Sequence, residues 1–349
     1  MNRKDVTMKD YLFDFATRLF AIDSPTGFTH HAIDMIEQEV KALNFNCTRT
    51  NKGNLWIHVK GKSSDKHVGL CAHCDTLGLM VRSIKGDGKL ALTTIGGILT
   101  PTLDGEYCTI YTRDGKKYTG TILSTSPAVH VFEDAASKTR DINNLEVRLD
   151  EVVSNADDVK KLGINNGDFV CVDPRFVITD SGFIKTRFLD DKISVAIFMT
   201  LLKKFKDKEL VPAYDTTFLI STYEEVGHGS SFIPAGISEL LAVDMGCIGL
   251  DLACDERSVS ICAKDSTGPY DYHFTSALIN YAKELDLSYA IDIYPRYGSD
   301  VSAARSAGYD IKGALIGPGV HASHGCERTH IDGVMAAFYL CEAYLLRGI

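Results

Sequence analysis

The chain predicts an α/β fold: a three-layer α/β/α domain interrupted by a β-rich insertion, a small antiparallel barrel or sandwich. Two features carry that reading. Strand-like apolar runs alternate with helically spaced segments near both ends of the chain. Between about Leu77 and Ile178 the alternation gives way to short β-rich runs separated by GDG, DGE and RDGKK turns.

From about Lys9 to Leu43 the apolar residues Leu12, Phe15, Leu19 and Phe20, then Ile33, Ile36 and Val40, keep helical spacing. Pro25 and Gly27 in SPTGFTHH divide that stretch into two helices. Asn54–Val59 and Val68–Ala72 read as strands, the second uniformly apolar like a strand buried in a parallel sheet. In the insertion, LALTTI, EYCTIYT and KYTGTIL read as hairpin strands, and DEVVSNADDVKKLG as a short helix stopped by Gly163. After Lys185 come a helix over Ile193–Phe205, the strands TTFLISTY, ELLAVD and SVSICAK, and a helix over about Tyr270–Leu285. GALIG and the helical DGVMAAFYLCEAYLL close the chain. The predicted domains are therefore 1–76 joined to 179–349, with 77–178 inserted, and a parallel sheet covered by helices.

The chain's 349 residues suffice for more than one core. Its 37 basic and 46 acidic residues give a net charge of −9, which weighs against nucleic acid or an anionic membrane as partner. Asp5, Lys9, Asp10 and Asp14 interrupt any signal-like apolar stretch at the N-terminus. No uncharged run approaches the ~20 residues of a membrane span. The ten cysteines form no dense framework and read as reduced thiols, so a cytoplasmic protein is expected. Cys71 and Cys74 flank His73, but Cys71 lies inside an apolar run and reads as core.

Chemistry-bearing residues recur just after apolar strands. In AHCD, His73 and Asp75 are two apart, so an extended backbone sends both side chains to one face, where a carboxylate can orient a ligating imidazole. The bland alternative is a loop histidine beside a capping aspartate. Asp190 and Asp191 in FLDDKIS precede a helix, where aspartate is also a common N-cap. Glu224 and Glu225 in STYEEVGHGS suit one metal ligand and one general base over a bound water. Asp244 ends the run LLAVD, and His321, His324 and His330 cluster near the C-terminus without spacing alone choosing among them. Such nitrogen and oxygen donors suit zinc, cobalt or manganese in a carboxylate-bridged pair.

In order and approximate spacing these motifs resemble the M42 family of metalloaminopeptidases, the glutamyl and tetrahedral aminopeptidases. The insertion shares in it through TIGGILTP, GTILSTSPAVH and LGINNGDFVCVDP, which are similar to that family's barrel-like domain. The resemblance implies a zinc-peptidase-like fold and two divalent metal ions per subunit, zinc first, with cobalt or manganese as alternatives. It implies His73, Asp190 and Asp244 on one ion and Asp190, Glu225 and His324 on the other. Asp190 would bridge them, Asp75 would orient His73, and Glu224 would be the general base. A non-proline cis peptide after the bridging aspartate is also implied, as is a place near the active site for Asp300 in RYGSDVSAA. Peptides would be the substrate, and the insertion would mediate a dimer or a twelve-subunit tetrahedral shell. The chain departs from the family pattern at Thr76, at Asp191–Lys192, where asparagine and arginine are usual, and in HASHGCERTH. A deacylase acting on N-acyl amino acids or small modified peptides is the alternative within metal-dependent hydrolases. A metal-free glycosidase built on Glu224 and a scaffold with an interaction module are the more distant readings.

Overall fold

The computed structural model describes residues 3–349, with side chains from Met8 onward, and divides into two compact units. One runs to Asp75 and resumes at Arg175; the other is Thr76–Pro174.

The first unit begins with helices α1 (Arg3–Phe20) and α2 (His30–Ala42). Leu12, Phe15 and Leu19 on α1 and Ile33, Ile36 and Val40 on α2 are buried, the stripe that helical spacing requires. Strands β1 (Asn46–Arg49), β2 (Leu55–Val59) and β3 (Ser63–His73) follow.

The second unit contains β4 (Gly78–Ile84), β5 (Leu90–Ile95), β6 (Tyr107–Tyr111), β7 (Lys117–Ser124), β8 (Leu145–Leu149), helix α3 (Ala156–Leu162) and β9 (Phe169–Val172). The strands close into an antiparallel barrel in the order β4-β5-β8-β7-β6-β9. Leu79, Val81, Leu90, Leu92, Ile110 and Val147 are buried at alternating positions, so side chains fill the interior. Helix α3 stops at Gly163, whose φ of 94° needs a residue without Cβ.

The first unit resumes with β10 (Val177–Ile178), β11 (Phe183–Thr186), α4 (Leu189–Lys208), β12 (Tyr214–Ser221), β13 (Ile237–Val243) and β14 (Gly246–Cys247). It continues through β15 (Val259–Asp265), β16 (Gly268–Pro269), α5 (Tyr272–Glu284) and β17 (Tyr289–Ile293). Helix α6 (Asp300–Ser306), β18 (Lys312–Val320), β19 (Glu327–His330) and α7 (Ile331–Arg347) complete it. The main sheet runs β1-β2-β12-β3-β13-β18-β15-β16, and β10-β11-β19 form a small separate sheet.

The central strands β12, β3, β13 and β18 are parallel, whereas β2 and β15 flank them antiparallel. The expected all-parallel sheet is thus mixed. The β1–β2 connection is a tight turn closed from Gly53 N–H to the Thr50 carbonyl, which permits only antiparallel pairing. Alternate residues serve opposite faces. Phe218 on β12 meets the Phe198 ring of α4 at 5.1 Å, and α1 and α7 pack against α4. Cys71, Leu219, Leu240 and Leu315 pack instead with Val301 and Ala304 of α6. Helices on both faces make the three layers.

Close approach of β18 to the residue after β13 admits no side chain at Gly317, where a Cβ would lie 1.9 Å from the Asp244 carbonyl oxygen. Gly317→Ala is expected to cost about 1–3 kcal/mol or more through this clash. Denaturant unfolding measures it; an unchanged midpoint would contradict the packing described.

Candidate metal centre

The central parallel strands deliver their carboxyl ends to one edge of the sheet, where open α/β sheets place their sites. His73 is the last residue of β3 and pairs with Ser221 at the end of β12. Glu224 and Glu225 follow β12 in a single 3₁₀ turn closed at Gly227. Asp244 comes directly after β13, its N–H donating to the Ile316 carbonyl on β18 at 2.9 Å. His324 lies in the loop between β18 and β19, and Asp190 in the irregular first turn of α4.

Neither adjacent aspartate caps that helix. The backbone at Asp190 and Asp191 is non-helical, so the regular helix begins after them, and their carboxylates turn toward His73 and His324 instead of the helix. The Asp190–Asp191 peptide is cis, as the resemblance implied. Asp190 N–H donates to Glu327 Oε2 at 3.1 Å, and its carboxylate faces His73 Nε2 at 3.0 Å and His324 Nε2 at 3.5 Å.

His73 is held from both sides. Its Nδ1 donates to the Asp75 backbone carbonyl at 2.8 Å, which turns Nε2 toward Asp190. The Asp75 carboxylate was expected to make that contact, but it stands 3.6 Å from Nδ1. It instead accepts from Thr26 Oγ1 at 2.7 Å and from the N–H groups of Glu224 and Glu225 at 3.1 and 3.3 Å. Asp75 therefore orients the histidine through its main chain and fixes the glutamate turn through its side chain.

Of the clustered histidines, His324 is the one facing the carboxylates, with Glu225 Oε2 3.8 Å away. His321 is exposed and bridges to Arg328, while His330 caps α7 by accepting from Asp332 N–H. Buried Asp300 accepts from Ser221 Oγ at 2.6 Å and Ser230 N–H at 2.7 Å, bracing the end of β12 and the loop beyond the glutamates.

Two residues of the site left no mark in the sequence. Buried Glu327 accepts from both Asp190 N–H and His324 N–H, the latter at 2.9 Å, and so ties two distant segments together. A single glutamate in a polar histidine-rich loop gives no periodic or spacing signal for that. Thr26, which anchors Asp75, sits in a stretch whose only legible feature was a break between helices.

Burial raises Glu224 and Glu225 well above the ordinary carboxylate range, and neighbouring negative charges add to it. Asp244 is pushed up to about 7 by burial and by Asp190. Burial alone would also raise Asp190, but hydrogen bonds from His324 and His73 hold it below its usual value. Burial opposes charge on His73 too, yet Asp190 and the surrounding carboxylates keep it well above its ordinary value.

The donors fit a divalent cation. His73, Asp190 and Glu225 present ligand atoms within 4.8 Å of one another, and so do His73, Asp191 and Asp244. Glu225 Oε1 and Asp191 Oδ1 are buried without a hydrogen-bond partner among the described residues. A bare buried carboxylate oxygen is costly unless a cation meets it. Asp190, Glu224, Glu225, Asp244 and His324 also line a cleft of about 390 Å³, together with Arg296, Tyr297 and Ser302.

This fold and this histidine–carboxylate centre define a metallo-exopeptidase. Residues 53–340 match the profile of the M42 glutamyl aminopeptidase family, and the chain belongs to that family of aminopeptidases. YhfE of Bacillus subtilis (strain 168), named as a candidate aminopeptidase, is 49% identical over 313 residues, covering 89% of this chain and 90% of its own. Among solved structures, aminopeptidase APDkam598 of the archaeon Desulfurococcus kamchatkensis superposes with a TM-score of 0.86 at 21% identity, over 97% of this chain and 95% of its own. The TET1 peptidase of Pyrococcus horikoshii, described as assembling into a tetrahedron or a large octahedral shell, gives 0.83 at 21% identity over 97% and 99%.

Because Glu327 holds both Asp190 and His324, Glu327→Gln is expected to weaken divalent-metal retention by about 10–100-fold. Calorimetric titration with zinc reads this, and unchanged affinity would remove Glu327 from the support of the centre.

Proposed function

We propose that the chain is a two-metal aminopeptidase that removes N-terminal residues from short peptides, with Glu224 as general base. The observation that supports this most is the convergence, at one edge of the sheet, of His73, Asp190, Glu225 and Asp244 beside Glu224 and an open cleft. In this reading His73, Asp190 and Asp244 hold one ion, and Asp190, Glu225 and His324 hold the other. Zinc is the first choice, with cobalt or manganese as substitutes. When bound, the ions supply Lewis acidity, lowering the pKa of water and polarising the scissile carbonyl.

The chain's own groups do the rest. Glu224 stands beside the ligand His73, its Oε2 3.6 Å from Nε2, while its main chain is pinned by Asp75. Burial raises its proton affinity, so the carboxylate can take a proton from water at Oε2 and return it to the departing amine. Asp75 and Asp300 keep the turn and the strand end still beneath it. The carboxylates on the cleft wall favour a substrate end that carries a free α-ammonium group and disfavour a blocked one.

The barrel unit exposes Val129, Val131 and Phe132 in one loop, apolar surface of the kind that assembly covers. With the shell-forming TET1 peptidase as a neighbour in fold, we take the chain to work as a homo-oligomer, a dimer or a tetrahedral dodecamer, built through its insertion. No helix among the described residues is long and apolar enough to cross a membrane, and a cytoplasmic location fits this reading.

Glu224→Gln should retain metal and lose about 10²–10⁴ in kcat; a rate near that of the wild type would remove Glu224 from its role. A panel of aminoacyl-p-nitroanilides and their N-acetyl counterparts tests the reaction itself, on apo-protein reloaded with zinc, cobalt or manganese. Metal-dependent cleavage confined to free α-amines is expected. Cleavage of the acetylated set alone would make the chain a deacylase, and activity surviving chelation would remove the metal mechanism.

A further inference from the structure

The other acids bracing this centre have both carboxylate oxygens engaged. Thr26 and the Glu224 and Glu225 N–H groups occupy those of Asp75. Ser221 and Ser230 occupy those of Asp300, and the Asp190 and His324 N–H groups those of Glu327. Asp191 differs. Its Oδ2 accepts from His73 N–H at 3.1 Å, while Oδ1 is fully buried with no hydrogen-bond partner among the described residues. The Ser194 hydroxyl, which donates to the Asp244 carbonyl, only partly eases the charge of the Asp191 carboxylate. Asp191 and Asp244 also present oxygens within 4.8 Å of each other and of a His73 ring nitrogen.

That posture, one oxygen braced and the other bare beside an imidazole and a second carboxylate, is a ligand's. Positioning His73 would need a single acceptor, which a neutral amide supplies as well. A second, unpaired anionic oxygen in a dry interior is a net cost unless a cation meets it. We infer that Asp191 is an additional metal ligand, so that one of the two cation positions is held by His73, Asp191 and Asp244 together with Asp190. The inference rests on the two-metal reading and enlarges its ligand set. It also gives the position a chemical character. One imidazole among several carboxylates is an oxygen-rich set, which suits a harder ion such as Mn²⁺ better than a nitrogen- or sulfur-rich set would.

Asp191→Asn separates ligation from positioning, because the amide oxygen still accepts from His73 N–H while the anionic oxygen is gone. Isothermal titration calorimetry of the apo-proteins with MnCl₂ and with ZnCl₂ reads each site directly, without turnover. In Asp191→Asn one Mn²⁺ site is expected to weaken by about 10–100-fold, with a smaller loss for Zn²⁺. Asp191→Ser serves as a second variant should the first not fold, and thermal melting of each apo-protein checks folding. Affinities within about twofold of wild type at every site in a folded variant would overturn the inference. If the wild type binds only one ion and Asp191→Asn weakens it as described, the inference stands and the two-ion reading falls. If the wild type binds neither ion, both fall.

Discussion

Concentrated negative charge in a buried place is the constraint around which the larger unit is organised. Asp190, Asp191 and Asp244, with Glu224 and Glu225, come together around the imidazole of His73, itself almost wholly buried. Ionised carboxylates are expensive to remove from water, and mutual repulsion makes each further one more so. The raised proton affinities of Glu224, Glu225, Asp191 and Asp244 express that cost. Divalent cations offset it, which is why the same cluster that looks unfavourable as protein structure is favourable as a coordination site.

A centre of this kind depends on side chains that are held before any cation arrives, and the fold meets that need with strand ends and buried carboxylates. Parallel strands β3, β12 and β13 place His73, the glutamate turn and Asp244 side by side, because their registers align Ala72 with Ile220 and Cys71 with Ala242. Segments that arrive from elsewhere need separate anchors. Glu327 couples the start of α4 to the histidine loop, Asp75 couples β3 to the glutamate turn, and Asp300 couples α6 to the end of β12. Each anchor is a carboxyl group accepting backbone N–H groups or hydroxyls, so geometry is fixed by directed hydrogen bonds and not by packing alone.

Much of this was legible in the chain because strand-end chemistry has a local signature. AHCD, STYEEVG and LLAVDMG each join an apolar run to acids or histidine, and the sheet brings those three ends together. The hairpins of the insertion were legible for the same reason, since glycine-rich turns at short intervals leave few alternatives to them, but turns alone do not separate a sandwich from the closed barrel the strands form. What escaped was whatever depends on pairing between remote segments. Short apolar runs do not encode strand direction, so β15 was not foreseen as antiparallel to β18. Glu327 and Thr26 look like surface residues until the fold buries them against Asp190 and Asp75. Spacing alone could not choose among His321, His324 and His330, whereas the loop after β18 turns His324 inward and leaves His321 exposed.

Anomalous diffraction from crystals grown with zinc, recorded on both sides of its absorption edge, would test the central claim most directly. The account predicts two peaks about 3.5–4 Å apart, one on each side of the Asp190 carboxylate, toward His73 and toward His324. Peaks elsewhere, or none at this cluster when zinc is in excess, would contradict it.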